Sequence, residues 1–191
     1  MDPLLATFII LAAMAAVVLV FRAFIRRPSS VTQEDPPGVR TVVTFRGKDP
    51  AFFQDDKAGG PLVGTRLFHM LCDGLAGRGI HIEERGTLQN AHRAFGATDG
   101  GRFAIVLEWT EQRWIAGIDW VPASAAEQRH LRLTHQVFAP PDSPGLRRLL
   151  AALDGWLKSR PEIRDVSWHR KERWIAEDTS DGRDSPLESR P

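Results

Sequence analysis

The sequence has few of the residues that build disulfide frameworks or strongly charged surfaces. Cys72 is the single cysteine, which excludes an intrachain disulfide and agrees with a reducing compartment. The formal net charge is only +1, so no bulk electrostatic field favours nucleic acid or acidic partners. We therefore expect no nucleic-acid partner.

Recognisable catalytic and cofactor motifs are also absent from the sequence. It contains no Gly-x-Ser-x-Gly and no His-Glu-x-x-His. The glycine-containing stretch 58–65 precedes a predicted helix but lacks the Gly-Lys-Ser/Thr ending of a phosphate loop. The sequence accordingly predicts no catalytic residue, no cofactor and no metal, and it favours a protein without enzymatic activity.

Tyrosine is absent, and lysine is scarce beside arginine. We interpret this skew, together with the abundant alanine, as the codon usage of a GC-rich and therefore bacterial genome. It carries no mechanistic meaning. The lysines are Lys48, Lys57, Lys158 and Lys171.

What the sequence does have is an uncharged run near its start, from Leu4 to Phe21. As a helix, this run is about 27 Å long, close to the hydrocarbon thickness of a bilayer. It predicts a membrane anchor helix over residues 1–27. A cleaved signal peptide and a buried core helix are the alternatives, but no basic residue precedes the run, as a signal peptide requires.

Three arginines follow the run and predict its direction in the membrane. Arg22, Arg26 and Arg27 lie directly after the apolar residues, and positively charged flanks stay on the cytoplasmic side. We expect a single-pass protein of the inner (plasma) membrane, with its N-terminus outside and its C-terminal domain cytoplasmic. The same arginines are expected to contact anionic lipid.

Composition divides the rest of the chain into three parts. Residues 28–38 are rich in Pro, Ser and acidic residues and predict a short flexible linker. Residues 39–175 predict one soluble domain, and the polar residues 176–191 predict a disordered tail. Because the linker is short, the domain is expected to work beside the membrane.

Apolar periodicity predicts an α+β fold, with one mostly antiparallel sheet and two helices packed on one of its faces. Helices are predicted at 61–76 and 145–160. The stretch 87–97 remains open between a strand and an irregular crossing. Strands are predicted at 40–46, 80–85, 102–110, 113–121, 130–138 and 163–169.

The strands at 102–110 and 113–121 form the clearest pattern, because apolar side chains alternate in both. A tight hairpin would set Trp109 opposite Trp114 and Phe103 opposite Trp120, which places both apolar rows on one side of the sheet. The connecting Glu-Gln is a poor sequence for a two-residue turn. A longer loop, with a shifted register, is the alternative.

Two clusters are candidates for function. His69 and Cys72 are three apart on the first predicted soluble helix, with Asp73 adjacent, and this spacing suits a metal pair or a Cys–His site. Cys72 also lies near the apolar face of that helix, where a lone cysteine is usually an inert core residue. The second cluster mixes tryptophan with basic residues and predicts a partner or membrane-surface contact, or else a segment packed back on the domain. Its residues are Trp168, Arg170, Lys171, Arg173 and Trp174, to which Arg22, Arg26 and Arg27 are added.

The resulting functional prediction is a membrane-tethered cytoplasmic protein-interaction or regulatory domain with a protein partner of unknown identity. One alternative is a membrane-bound enzyme with a site near the first soluble helix, around residues 59–60, His69 and Cys72. Another is an inner-membrane immunity-type or lipid-facing protein. A closed polar pocket lined by His, Asp or Cys would favour the enzyme, and an open apolar sheet face would favour binding.

Overall fold

The computed structural model describes residues 35–53, 63–88, 90–99, 101–110, 112–122, 124–126, 129 and 140–188. We name the helices α1 (Thr65–Ala76), α2 (Pro144–Lys158) and α3 (Lys171–Ile175), and a 3-10 turn covers Pro50–Phe52. The strands are β1 (Val42–Gly47), β2 (His81–Leu88), β3 (Ala91–Thr98), β4 (Gly101–Thr110), β5 (Arg113–Val121) and β6 (Ile163–His169).

The six strands form one sheet in the order β2-β3-β4-β5-β1-β6. Every neighbouring pair is antiparallel. The β2–β5 meander uses short local connections, whereas β1, the first of the described strands, lies between β5 and β6. This arrangement confirms the predicted α+β class with an antiparallel sheet.

The hairpin of β4 and β5 has the register that its alternating side chains predict. Trp109 pairs with Trp114, and Phe103 pairs with Trp120. The alternative of a longer loop is wrong, because Thr110 pairs with Arg113 and leaves only two residues between the strands. The apolar rows outweigh the poor turn sequence, since any one-residue slip would turn both rows to the other face.

The hydrophobic core lies between one face of the sheet and the helices α1 and α2, as predicted. Ser143 caps α2, its hydroxyl accepting a hydrogen bond from the Leu146 amide at 3.1 Å. Pro144 follows at the first helical position, where a missing N–H has no cost. The fully buried core residues include Phe103, Ile105, Leu107, Trp114, Ile118, Leu67, Leu71, Leu75, Leu149, Leu153 and Trp156.

The helices α1 and α2 approach each other closely at a glycine. A Cβ atom at Gly74 of α1 would lie 1.9 Å from Nε1 of Trp156 on α2. Only a residue without a side chain fits there, so the contact of the two helices depends on Gly74.

No helix among the residues described from Asp35 onward is long and apolar enough to cross a membrane. The predicted anchor 1–27, with the run Leu4 to Phe21, lies outside the described residues, and so do Arg22, Arg26 and Arg27. Residues 28–34 of the predicted linker and the predicted strand at 130–138 also lie outside them.

The C-terminal segment differs from the predicted disordered tail. Residues 176–188, which we call the C-terminal strap, pack on the domain. Arg183 exchanges two backbone hydrogen bonds with Trp168, at 2.7 and 2.9 Å, along the outer edge of β6. Leu187 bridges Val39. Composition misses this because polar segments can still satisfy an open sheet edge with their backbone groups.

Candidate functional site

Polar groups gather on the sheet face that points away from α1 and α2, where β5, β1 and β6 lie side by side. The helix α3 and the C-terminal strap cover part of this face. The Nζ atom of Lys171 on α3 forms an ion pair with Asp119 on β5. The ring of Trp174 lies 5.5 Å from that of His169 on β6.

Asp35 is the centre of the buried part of this network. Its carboxylate accepts hydrogen bonds from the Thr41 amide at 2.9 Å, the Thr41 hydroxyl at 2.6 Å and the Lys171 amide at 2.9 Å. Its own amide donates to Glu172 at 2.9 Å. Because these bonds join the start of the domain to α3, Asp35 to Gly38 is not a free linker but part of the fold.

Burial shifts the ionisation of two groups in this network in opposite directions. It raises the pKa of Asp35, against the lowering effect of the hydrogen bonds from Thr41 and Lys171. It lowers the pKa of Lys171 to about 8, while the carboxylate of Asp35 opposes that shift. Burial disfavours the charged form of each side chain. The network is therefore stable only while its hydrogen bonds remain formed.

The predicted contact cluster divides into buried and surface residues. Trp168 lies in the core, fully buried, and its Nε1 donates to Asp154 at 2.8 Å. Its place among surface contacts is therefore corrected: it points to the helix side because it pairs with Val43, a core residue of β1. The sequence could not show this, because the bulge at Asp165 breaks the alternation of β6, so that Ile163 and Trp168 both face the core although strict alternation would put them on opposite faces.

The other members of that cluster lie on or beside α3. Arg170 is half-buried; it pairs with Glu172 and donates to the Asp35 carbonyl at 2.8 Å. Arg173 is exposed and pairs with Asp178 at 3.1 Å. These contacts give Arg170 and Lys171 structural partners, whereas Arg173, half-buried Trp174 and exposed Ile175 form the accessible side of α3.

A hydrogen-bonded chain of three side chains runs from β1 to the C-terminal strap. The Thr44 hydroxyl lies 3.2 Å from Nε2 of His169, and Nδ1 of His169 lies 3.3 Å from Oδ1 of Asp181. Burial is the largest effect on the pKa of His169 and lowers it, which keeps the imidazole neutral near pH 7. The order hydroxyl, imidazole, carboxylate is that of a nucleophile, its base and an orienting acid.

The burial of this chain indicates that it stabilises the fold. Thr44 and His169 are each only 2% exposed, so a substrate has little access to either. Oγ1 of Thr44 also lies 3.5 Å from the Ser167 carbonyl on the neighbouring strand. The chain ties the C-terminal strap to the centre of the sheet.

A cleft of about 210 Å³ opens beside Thr44, and arginines line it. Arg46 on β1 pairs directly with Arg164 on β6. On its other side, the pairing of Phe45 with Trp114 continues to place Arg46 next to Arg113 of β5. We call Arg113, Arg46 and Arg164 the arginine row, because they lie side by side on three adjacent strands.

One carboxylate, that of Asp165, forms ion pairs with this row. Oδ2 of Asp165 lies 3.8 Å from Nε of Arg46 and 3.9 Å from Nε of Arg164. Among the described residues, no other carboxylate forms an ion pair with the row. Asp165 has a φ of 54°, where the pairing of β1 with β6 shifts register. Such bulges re-aim side chains, often beside functional sites.

The candidate site near the first soluble helix is wrong in its main feature. Cys72 is fully buried, and burial raises the pKa of its thiol to about 11, so it is no thiolate nucleophile. His69, three residues earlier, is exposed. The two side chains therefore do not share a pocket. Residues 59–60, the glycines of that hypothesis, lie outside the described residues.

Metal ligands do not converge in the part of the chain that the structure describes, where no group of three His, Cys, Asp or Glu side chains could hold an ion. His92 is buried, stacks on Phe68 and lies 3.1 Å from the Val63 carbonyl. Its role there is packing. His130 and His135 lie outside the described residues.

No pattern in the sequence predicts the arginine row, Asp165 or the Thr44–His169–Asp181 chain. Each joins residues that are far apart in the chain, and no spacing signals them. The one local hint is that Arg46 and Arg113 each stand at the end of a predicted strand.

No protein-family model matches this chain, and comparisons with curated proteins and with solved structures also found no match.

Proposed function

We propose that this protein is a single-pass inner-membrane protein whose cytoplasmic domain binds a protein partner and performs no catalysis. One observation carries the proposal: the uncharged run from Leu4 to Phe21, with arginines only after it, stands shortly before a domain that begins at Asp35. A run of this length suits a membrane span, and the arginines suit its cytoplasmic end.

The position of Asp35 supports a working place beside the membrane. Since Asp35 is fixed by hydrogen bonds to Thr41 and Lys171, only residues 28–34 remain as linker. Seven residues reach at most about 25 Å when fully extended. A partner must therefore come to the membrane, or already be there.

The sheet face opposite α1 and α2 is the surface that suits a partner. Half-buried Phe95, Val106 and Ile115 lie on it, on neighbouring strands. At Gly117, a Cβ atom would meet nothing within 4 Å, so the surface there is a shallow depression. An apolar centre surrounded by charged side chains is typical of protein interfaces.

Charge favours a partner with an acidic surface. Arg93 and Arg102 lie over the ring of Phe95, at 4.8 and 4.1 Å from its centroid to their guanidinium carbons. Arg102 also pairs with Glu83 at 2.6 Å, so Arg93 is the arginine of this pair that can meet a partner's carboxylate. The arginine row lies on the same face, toward β6. Complementary charge guides encounter and sets orientation.

Photocrosslinking in native membranes tests the binding face. A photoreactive amino acid replaces Val106 on this face or, as control, exposed Gly155 on α2. We expect a discrete crosslinked adduct between position 106 and an acidic segment of one partner protein. We expect no such adduct from position 155. The substitution Gly117→Trp should abolish the adduct from position 106 without unfolding the domain, because a Cβ atom at this position meets nothing within 4 Å and the ring can extend outward from the sheet. Adducts that are equal at both positions, or that persist in Gly117→Trp, would overturn the binding face.

The sidedness needs its own measurement. A reporter enzyme that is active only outside the cytoplasm is fused to the C-terminus of the full chain. We expect no reporter activity, and we expect the protein to stay with membranes after carbonate extraction. Strong reporter activity would show that the domain lies outside the cytoplasm. Release of the protein by carbonate would contradict the predicted membrane anchor.

A membrane-bound enzyme is the second candidate, because the Thr44–His169–Asp181 chain adjoins a cleft. An acylating or phosphonylating probe distinguishes the two, since a working nucleophile is modified at one residue. Stoichiometric labelling at Thr44, lost in His169→Gln, would favour the enzyme. We expect no labelling by intact mass, because both side chains are buried.

A further inference from the structure

Two arginines that face each other across antiparallel strands need an explanation. Arg46 and Arg164 are direct partners in the pairing of β1 with β6, and like charges directly opposite each other destabilise a sheet. Arg113 continues the row on β5. These side chains carry three positive charges across strands that lie only about 4.8 Å apart.

The charge of the row is only partly balanced. Asp165 is shared by Arg46 and Arg164 at 3.8 and 3.9 Å, beyond hydrogen-bond distance. With this one carboxylate counted, the arginine row has a net charge of +2. On the same face, Glu108 pairs with Ile115, one level away from the row. Among the residues that the structure describes, no carboxylate lies within hydrogen-bond distance of these three guanidinium groups.

The cleft in front of the row has the size of a small ligand group. It holds about 210 Å³ and is lined by Thr44, Phe45, Arg46, Arg113 and Asp165. Arg46 and Arg164 are half-exposed, with 50% and 52% of their side chains accessible. Their guanidinium groups can therefore turn toward a ligand without breaking the fold.

We propose that the arginine row binds a phosphate monoester group. At pH 7 such a group carries a charge of roughly −1.5 to −2, which matches the +2 of the row with Asp165. Its oxygens accept paired N–H bonds from guanidinium groups, a geometry that arginine suits better than lysine. The phosphate group can come from a soluble compound or from a lipid headgroup in the adjacent bilayer.

Asp165 sets the strength and selectivity of this site. Its carboxylate repels a phosphate and holds Arg46 and Arg164 in place while no ligand is bound. Asn tolerates the positive φ at this position, so Asp165→Asn removes the charge and keeps the backbone. The row then has a charge of +3, and phosphate should bind more tightly.

The test uses the full chain in nanodiscs of phosphatidylcholine. Inorganic phosphate is titrated by calorimetry at low ionic strength, with sulfate and chloride as competing anions. We expect saturable binding that weakens about tenfold in Arg46→Gln and in Arg113→Gln. Asp165→Asn should bind about threefold more tightly or better. The control Arg148→Gln removes an exposed arginine of α2 that pairs with Asp99 and should bind as the unchanged protein does.

A second arm distinguishes the source of the phosphate. Nanodiscs that contain phosphatidate present the monoester in the bilayer, and the same variants are compared for competition with soluble phosphate. Loss of the calorimetric signal in phosphatidate discs would assign the site to the lipid headgroup; an unchanged signal would assign it to a soluble compound.

Three results would overturn the proposal. They are no saturable binding of phosphate, equal binding by the row variants and Arg148→Gln, or weaker binding in Asp165→Asn. Circular dichroism of each variant confirms that it is folded. The proposal stands apart from the protein-binding function, because it needs neither a partner protein nor the central depression at Gly117.

Discussion

The two faces of the sheet are built on different principles. The face toward α1 and α2 is closed by large apolar side chains, such as Leu107 and Trp156, that exclude water. The opposite face is held by polar groups, among them Asp35 and His169, that are joined by hydrogen bonds. Apolar burial is non-directional and tolerant, whereas a buried polar group is stable only with its partners in place. We therefore expect the first face to contribute most of the stability and the second to contain the groups whose ionisation changes with pH.

Truncating a core side chain gives the largest expected effect and measures the difference between the faces directly. Leu107 is fully buried under the helices, and its neighbour Val106 is half-buried on the opposite face. We expect Leu107→Ala to lower the free energy of unfolding by about 2–5 kcal/mol, and Val106→Ala by about 1 kcal/mol. Urea unfolding of the full chain in detergent, followed by tryptophan fluorescence, measures both. Equal losses would show that the two faces do not differ in stability.

A pair of glycine substitutions tests the closed face at the contact of the helices. Alanine favours a helix over glycine by about 1 kcal/mol. In Gly74→Ala, however, the new Cβ would collide with Trp156. We expect a net destabilisation of about 1–2 kcal/mol, because overpacking outweighs the propensity. The same urea experiment reports it.

Gly155→Ala on α2 is the matched control. A Cβ at Gly155 meets nothing within 4 Å, so only the propensity acts, and we expect stabilisation of about 0.5–1 kcal/mol. If both substitutions stabilise the protein, the close approach of α1 to α2 is not required.

The closed face was largely predictable from the sequence, because its signals are local. Alternation in β4 and β5 gave the strands and their register, and a repeat of three and four gave α1 and α2. The stretch of β3 stayed open between a strand and an irregular crossing, because two of its core-facing residues, Ala94 and Gly96, are small. Gly96, for example, leaves room for Ile105, from which an added Cβ would be only 3.3 Å away. Small residues leave no alternating pattern for a sequence to show.

The opposite face was not predictable, because its groups meet only through long-range pairing. The arginine row exists because β1 lies between β5 and β6, an order that no local pattern specifies. The order of the C-terminal strap was not predictable for a related reason. Its residues are polar, and its order depends on the edge of β6 and on Val39, both distant in the chain.

Removing one charge from the polar network gives a smaller effect than truncating the core. In Asp35→Asn, one of the bonds from Thr41 or Lys171 loses its acceptor or becomes weaker. We expect a loss of about 1–2 kcal/mol in the free energy of unfolding. Limited proteolysis should also cut the C-terminal strap sooner, because α3 is released.

Asp73→Asn is the control for this change. Asp73 is 68% exposed and pairs with Arg85 on the surface, so its removal should leave both readouts nearly unchanged. A strap that is cut at the same rate in Asp35→Asn as in the unchanged protein would mean that the network does not hold it.

The smallest expected effect is a pH dependence of stability that arises on the polar face. The pKa of folded His169 is lowered below its ordinary value of 6.5, chiefly by burial, against the opposing effect of Asp181. Between the folded and unfolded pKa values the unfolded chain binds more protons, so stability rises with pH there. This stability is present above about pH 6.5 and is lost as pH falls from that value through the folded pKa of His169. Urea unfolding at a series of pH values should show this slope and its reduction in His169→Gln. The exposed His81 on the edge strand is the control, and His81→Gln should keep the slope. If instead the slope persists in His169→Gln, another group on this face titrates, and the hydrogen-bonded chain is not the part of the fold that senses pH.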